Sequence, residues 1–207
     1  MKAKGTVWIA FGCILVLFAA CLSGYNLWEA GRAKAASAAV VTAIKEQLPE
    51  PEKNKPEKAG DSVLTEQPDH LLFPDMEMPV AILDGQAYVG MLEIPVLELE
   101  LPVMDEWSYS ALKLAPCRYE GSAYADDLIV MAHNYEGHFG AIFNLQAGDL
   151  VLFTDMAGNT FSYQVIETEL LAGSAVEDMS AGEWDLTLFT CNYNGQSRVT
   201  VRCRKIQ

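Results

Sequence analysis

The sequence predicts a mostly β protein, a closed antiparallel barrel with short helices, preceded by an N-terminal transmembrane helix and a linker. Three observations carry this. The chain opens on an almost unbroken apolar run, a Pro-, Glu- and Lys-rich stretch without apolar periodicity follows, and from Pro79 short alternating segments recur between turn residues. Many short strands with few helices leave edges to protect, and closure removes them. The expected division is residues 1–28 as cytoplasmic tip and anchor, 29–78 as helical stalk and spacer, and 79–207 as the folded domain. A domain of about 120 residues can bury one independent core.

Lys2 and Lys4 precede the apolar run from Thr6 to Leu22, which Ser23 to Trp28 extend to spanning length. Tyr25 and Trp28 at its far end suit an interfacial aromatic belt, and the basic start predicts a cytoplasmic N-terminus with the remainder exported. A removable signal peptide is the main alternative, but Phe18-Ala19-Ala20 and the residues after it offer no small-x-small cleavage pattern. Ala19-Ala20-Cys21 ends the run as a lipobox would, with Phe18 where Leu is expected. Glu29 to Gln47 is Ala-rich and reads as a continuation of the helix. Leu48 to Asp69, with Pro49, Pro51, Pro56 and Pro68, reads as a spacer that gives reach.

Beyond it, Tyr88–Ile94 and Leu97–Val103 alternate as strands, and Trp107–Leu114 suggests a short helix. Leu128–Ala132 is a buried strand, followed by a helical turn from Phe139 to Leu145. Asp149–Asp155 and Thr160–Thr168 flank Met156-Ala-Gly-Asn159 as a hairpin. The formal charge of −14 excludes a basic phosphate-tracking surface and hence a nucleic-acid role. No Cys or His spacing suggests a metal, and no phosphate loop implies a cofactor; Asp126, Asp127 and Glu136 read as strand-end and loop solvation. Cys117, Cys191 and Cys203 lie beyond the apolar run. A Cys117–Cys203 disulfide would leave Cys191 free, although Cys203 is equally explained as a core residue beside Val199 and Val201.

The chemistry concentrates near the C-terminus. Cys191 closes one alternating run, and Arg198 opens the next seven residues later. Two antiparallel strands joined by that loop would set Cys191 opposite Arg198. Alternation then puts Thr187, Phe189, Cys191, Arg198, Thr200 and Arg202 on one face, and Leu186, Leu188, Thr190, Val199, Val201 and Cys203 on the other. A cation beside a thiol favours the nucleophilic thiolate. Alone, the pair is matched by a half-buried cysteine at a strand end. The chain has three histidines: His70, expected in solvent; His138, in a loop; and His133, at the mouth of the Leu128–Ala132 strand. Rigid backbone and solvent access favour His133 as general acid or base.

Thr187-Leu188-Phe189-Thr190-Cys191 resembles the Thr-Leu-x-Thr-Cys signature of sortases, the cysteine transpeptidases of bacterial cell surfaces. Ala132-His133-Asn134 with His138-Phe139-Gly140 is similar to their histidine loop, and Arg198 falls where they carry an essential arginine. The likeness runs from Tyr88 to Lys205, with one departure at Ala132, where the family usually has Gly. It implies a sortase-like barrel outside the cell membrane, anchored by residues 6–28. It further implies that Cys191 cleaves a Leu-Pro-x-Thr-Gly-like sorting signal on a surface protein and passes the acyl group to an amine of a peptidoglycan precursor or pilin. His133 would be the acid–base, Arg198 the oxyanion or substrate donor, and Thr190, Asn134 and His138 candidate substrate or oxyanion contacts. A cysteine peptidase using water, and a silent surface-binding domain, are the alternatives.

Overall fold

A computed structural model describes residues 2–48, 68–192 and 194–206. The chain begins with one uninterrupted helix, α1 (Lys2–Gln47). Its apolar stretch from Val7 to Trp28 is exposed on every side, and the helix is long and apolar enough to cross a membrane. The second half behaves differently. Ala33, Ser37, Val41 and Ile44 recur at helical spacing, share one face, and are buried against the rest of the chain. Val41 and Ile44 pack with Tyr88, Met91, Met104, Leu112 and Cys117, and Lys45 pairs with Glu100 at 2.6 Å. The segment read as a stalk is therefore docked along the domain. Most of the expected spacer, residues 49–67, lies outside the described residues.

After it come a short helix α2 (Asp69–Leu72) and the strands β1 (Ala81–Leu83), β2 (Gln86–Ile94), β3 (Leu99–Met104), β4 (Cys117–Glu120) and β5 (Leu128–Ala132). These are followed by β6 (Leu150–Asp155), β7 (Thr160–Ala172), helix α3 (Val176–Ser180), β8 (Leu186–Cys191) and β9 (Ser197–Ile206). Strands run in the order β2-β3-β4-β5-β8-β9-β7-β6, and β2 pairs with β6 to close the barrel, leaving β1 as a hairpin arm on β2. The expected barrel is thus present, and it is mixed: β3–β4 and β5–β8 are parallel, and the remaining pairings are antiparallel. Parallel neighbours need a long crossover, and the β6–β7 hairpin with α3 supplies the one from β5 to β8.

The inward face carries Leu92, Leu128, Val130, Phe153, Tyr163, Leu186, Leu188, Val201 and Cys203. Cys203 sits inside the barrel and Cys117 beneath α1, and both are free thiols, so the permitted disulfide is not formed. Burial pushes each of these thiols up to about 12, which leaves them inert at neutral pH.

Several local expectations shift. Pro95–Leu97 forms a 3₁₀ turn and Glu98 is left-handed (φ 52°), so the strand expected from Leu97 starts at Leu99. The helix expected over Trp107–Leu114 contracts to a 3₁₀ turn, Ala111–Lys113, and that over Phe139–Leu145 to Ile142–Asn144. His70 is buried rather than solvated. It stacks on Tyr124 at 4.7 Å and meets the edge of Phe161 at 5.3 Å, so α2 is held on the barrel by an aromatic contact.

Gly90 lies on the closing seam, where a Cβ would come within 2.3 Å of the Thr154 carbonyl and 2.8 Å of the Phe153 ring. Gly90→Ala is expected to force β2 from β6 and destabilise the domain by about 1–3 kcal/mol or more, read as a lowered midpoint in thermal unfolding.

Candidate active site

The register of three adjacent strands builds the site. β5 and β8 run parallel with Ala132 opposite Thr190, so the next residues on each, His133 and Cys191, emerge side by side at the same barrel end. β8 and β9 run antiparallel with Cys191 opposite Arg198, as the alternation predicts. Ala132 is in the barrel core and Thr190 is buried beside it, so the following residues face outward. His133, Cys191 and Arg198 are each half-buried and line one cavity of about 220 Å³.

The backbone around His133 is tied on both sides. The Thr190 hydroxyl donates to the Ala132 carbonyl at 2.8 Å, and the Phe139 amide donates to the His133 carbonyl at 3.1 Å. Phe139 is fully buried in the barrel core, so the loop is pinned by a hydrophobic plug. Gly140 is required there, since a Cβ would lie 2.7 Å from the Tyr135 carbonyl and 2.8 Å from that of Asn134. Phe139 and Thr190 thus have positioning roles that periodicity does not reveal, and the Thr190 hydroxyl is already committed to backbone.

Burial holds His133 below the ordinary imidazole range, against an opposing pull from the Glu29 carboxylate on α1. The neutral ring that results at pH 7 is ready to accept a proton. Arg198 donates to the carbonyls of Gly195 at 3.2 Å and Ser197 at 3.4 Å. Its guanidinium therefore folds over the loop that follows the cysteine, on one wall of the cavity. Asn134 lines a second, nearly apolar recess of about 190 Å³ on another side of Cys191, with Phe139, Phe143 and Val199.

His138 is not brought to this groove. It is fully buried beneath α1, with Nε2 at 3.2 Å from the Ser37 hydroxyl and Nδ1 unpartnered among the described residues. Its place is structural: Tyr135 lies between it and His133, with ring centroids at 5.7 and 4.8 Å.

The main groove runs over the outer face of β8. Trp107, Tyr109, Tyr119, Met131, Met179 and Phe189 give it an apolar floor and wall. Arg202, on the cysteine's side of β9, is buried and donates to Met179 O (2.8 Å), Asp178 O (2.6 Å), Thr187 Oγ1 (3.1 Å) and Glu169 Oε1 (2.8 Å). It fastens the segment carrying α3, which forms the groove's far wall. Among the described residues no cluster of three or more His, Cys, Asp or Glu could hold a metal.

Burial pushes His138 down to about 4, with the neighbouring His133 adding to the effect. The sign follows. Between the ordinary histidine range near 6.5 and about 4 the unfolded chain takes a proton that the folded domain refuses, so stability falls as pH drops through that window. Comparison of unfolding midpoints should show a shallower loss for His138→Gln than for the unsubstituted chain.

A sortase domain model matches residues 92–206. Among solved structures, a Streptococcus pneumoniae sortase C is 19% identical with a TM-score of 0.54, over 67% of this chain and 84% of that one. A Clostridium perfringens sortase D5 transpeptidase is 19% identical with a TM-score of 0.52, over 61% and 83%. Clostridium perfringens sortase C with the C-terminal cell wall sorting motif is 22% identical with a TM-score of 0.51, over 58% and 71%. No curated protein sequence matches the chain. The match spans more than half of the sequence and includes the strands that carry Cys191, His133 and Arg198: the chain belongs to the sortase family of cysteine transpeptidases.

Proposed function

We propose that this chain is a single-pass membrane sortase, N-terminus cytoplasmic, whose Cys191 cleaves a Leu-Pro-x-Thr-Gly-like sorting signal and transfers the acyl group to an amine. The observation that carries the reading is the side-by-side emergence of Cys191 and His133 from parallel strands, with Arg198 opposite the cysteine. The Cys191 proton passes to neutral His133 as Sγ attacks the carbonyl carbon of the scissile amide. The tetrahedral oxyanion is met by the guanidinium of Arg198, which exchanges its loop carbonyls for the developing charge. The C–N bond then breaks, His133 returns its proton to the departing amine, and a thioester remains on Cys191. An incoming amine attacks the thioester, gives a proton to His133, and expels the cysteine, which recovers that proton.

The apolar groove supports an apolar, extended signal segment, and one similar structure, the Clostridium perfringens sortase C, is described with a cell wall sorting motif. The acceptor, from a peptidoglycan precursor or a pilin, is expected to reach the thioester from the recess lined by Asn134 and Phe143. The exposed apolar half of α1 supports the membrane anchor.

The test is product identity. The full chain is incubated with a library of Leu-Pro-x-Thr-Gly-like peptides and an amine, and products are followed by mass spectrometry. Amide-ligated peptide should exceed free acid, and Cys191→Ala should give neither. Acid as the sole product would establish the peptidase reading instead.

A further inference from the structure

The Cys191 groove does not end at its own rim. Phe189, two residues before Cys191 on β8, meets the Tyr119 ring edge-on with centroids 5.4 Å apart. Tyr119 lies 6.2 Å from Trp107, and Trp107 lies 6.1 Å from Tyr109. The four rings form one strip that leads outward from the cysteine's strand. Its outer members are bare: Trp107 is exposed by 43% and Tyr109 by 79%. Trp107 and Tyr119 belong to two cavities at once. They line the groove on one side, and on the other a hollow of about 350 Å³ shared with Asp105, Glu106, Arg118, Glu120 and Gly121.

The hollow is acidic. The one cation in its lining, Arg118, is committed: it pairs with the Asp105 carboxylate and donates to the Asp105 and Gly121 carbonyls at 3.1 and 3.5 Å. Glu106 and Glu120 are exposed, and neither has an ion-pair partner among the described residues. Glu120 accepts the Ser180 hydroxyl of α3 at 2.9 Å. Bare aromatic faces beside unpaired carboxylates suit a lysine or arginine, whose stem lies along the rings while its charge meets the π face and the carboxylates. The direction of the substrate chain follows from the reaction. An amine leaves, and the acceptor arrives, on the side of the recess lined by Asn134 and Phe143. The acyl portion therefore fills the main groove, and its chain runs back over Phe189 and Tyr119 toward Trp107.

We propose that the hollow beyond Trp107 is a binding subsite for a basic residue that precedes the sorting signal, so that upstream positive charge selects substrates together with the signal itself. The proposal rests on the acyl-transfer reading given above. A residue held there is remote from the scissile bond and is bound equally before and during the chemistry, so it lowers KM and leaves kcat unchanged. Exposed carboxylates act through a field that salt screens, so the preference fades as ionic strength rises.

The test uses the full chain in neutral detergent with Leu-Pro-x-Thr-Gly-like peptides extended upstream, in which Lys, Gln or Glu is walked through the positions ahead of the signal. Cleavage is followed by mass spectrometry at low and high salt. At one or two of these positions the Lys peptide should show a several-fold higher kcat/KM than the Gln peptide, carried by KM, and the Glu peptide a lower one. High salt should erase the difference. Glu106→Gln combined with Glu120→Gln keeps an acceptor for the Ser180 hydroxyl, so the groove wall stays fastened and cleavage of the Gln peptide should be unchanged while the Lys advantage disappears. Trp107→Ala should reduce that advantage. Equal kcat/KM for Lys, Gln and Glu at every position overturns the proposal alone, as does a Lys preference that survives in the Glu106→Gln, Glu120→Gln variant. Cleavage of none of the peptides overturns the acyl-transfer reading and the proposal with it.

Discussion

The site depends on the parallel pairing of β5 with β8. That pairing sets Ala132 against Thr190, and the Thr190 hydroxyl closes it by bonding the Ala132 carbonyl at 2.8 Å. A slip of one residue would turn His133 or Cys191 into the barrel, because successive side chains alternate between faces. The apolar set Leu186, Leu188, Leu128 and Val130 resists such a slip, since it would move core residues into the outer layer. Hydrophobic burial thus fixes the register, and the register fixes the distance between His133 and Cys191. The antiparallel partner β9 adds Arg198 by the same rule, and Arg202 on that strand holds the groove's outer wall.

A second constraint comes from outside the barrel. The face of α1 formed by Ala33, Ser37, Val41 and Ile44 covers Cys117, Met104 and the buried side of His138. Small residues occupy the positions nearest the histidine loop, where Gly137 and Lys34 come close, and larger ones those over β2 and β3. The loop carrying His133 is therefore supported from within by Phe139 and from without by the helix. A fragment beginning after α1 would expose the cluster around Tyr88 and Met91 and leave His138 facing water.

The legible parts of the fold and site were those governed by local pattern. Alternation on either side of a short loop was enough to place Cys191 opposite Arg198 and to sort the inward from the outward residues. The adjacency of His133 and Cys191 was not legible from pattern. It needs a parallel crossover spanning more than fifty residues, which periodicity does not encode, and only the resemblance to sortases paired them. The docked face of α1 was hidden because Ala33 and Ser37 carry little hydrophobic signal, and an Ala-rich helix reads the same free or packed. The sequence offers His138 as a loop residue and candidate substrate contact; its burial against Ser37 is hidden because that partner lies a hundred and one positions away. The strand expected from Leu97 began late because Pro95 and the left-handed Glu98 override the alternation of their neighbours.

In the proposed reaction Cys191, His133 and Arg198 act as one acyl-transfer unit held by strand register. The most direct measurement is a double-mutant cycle on kcat/KM for signal-peptide cleavage, using His133→Ala, Arg198→Ala and both together. Groups that act on one transition state should be strongly non-additive, with the double variant falling little below the worse single one. Losses that multiply independently would contradict the account, since the two side chains would then be serving separate steps or separate sites.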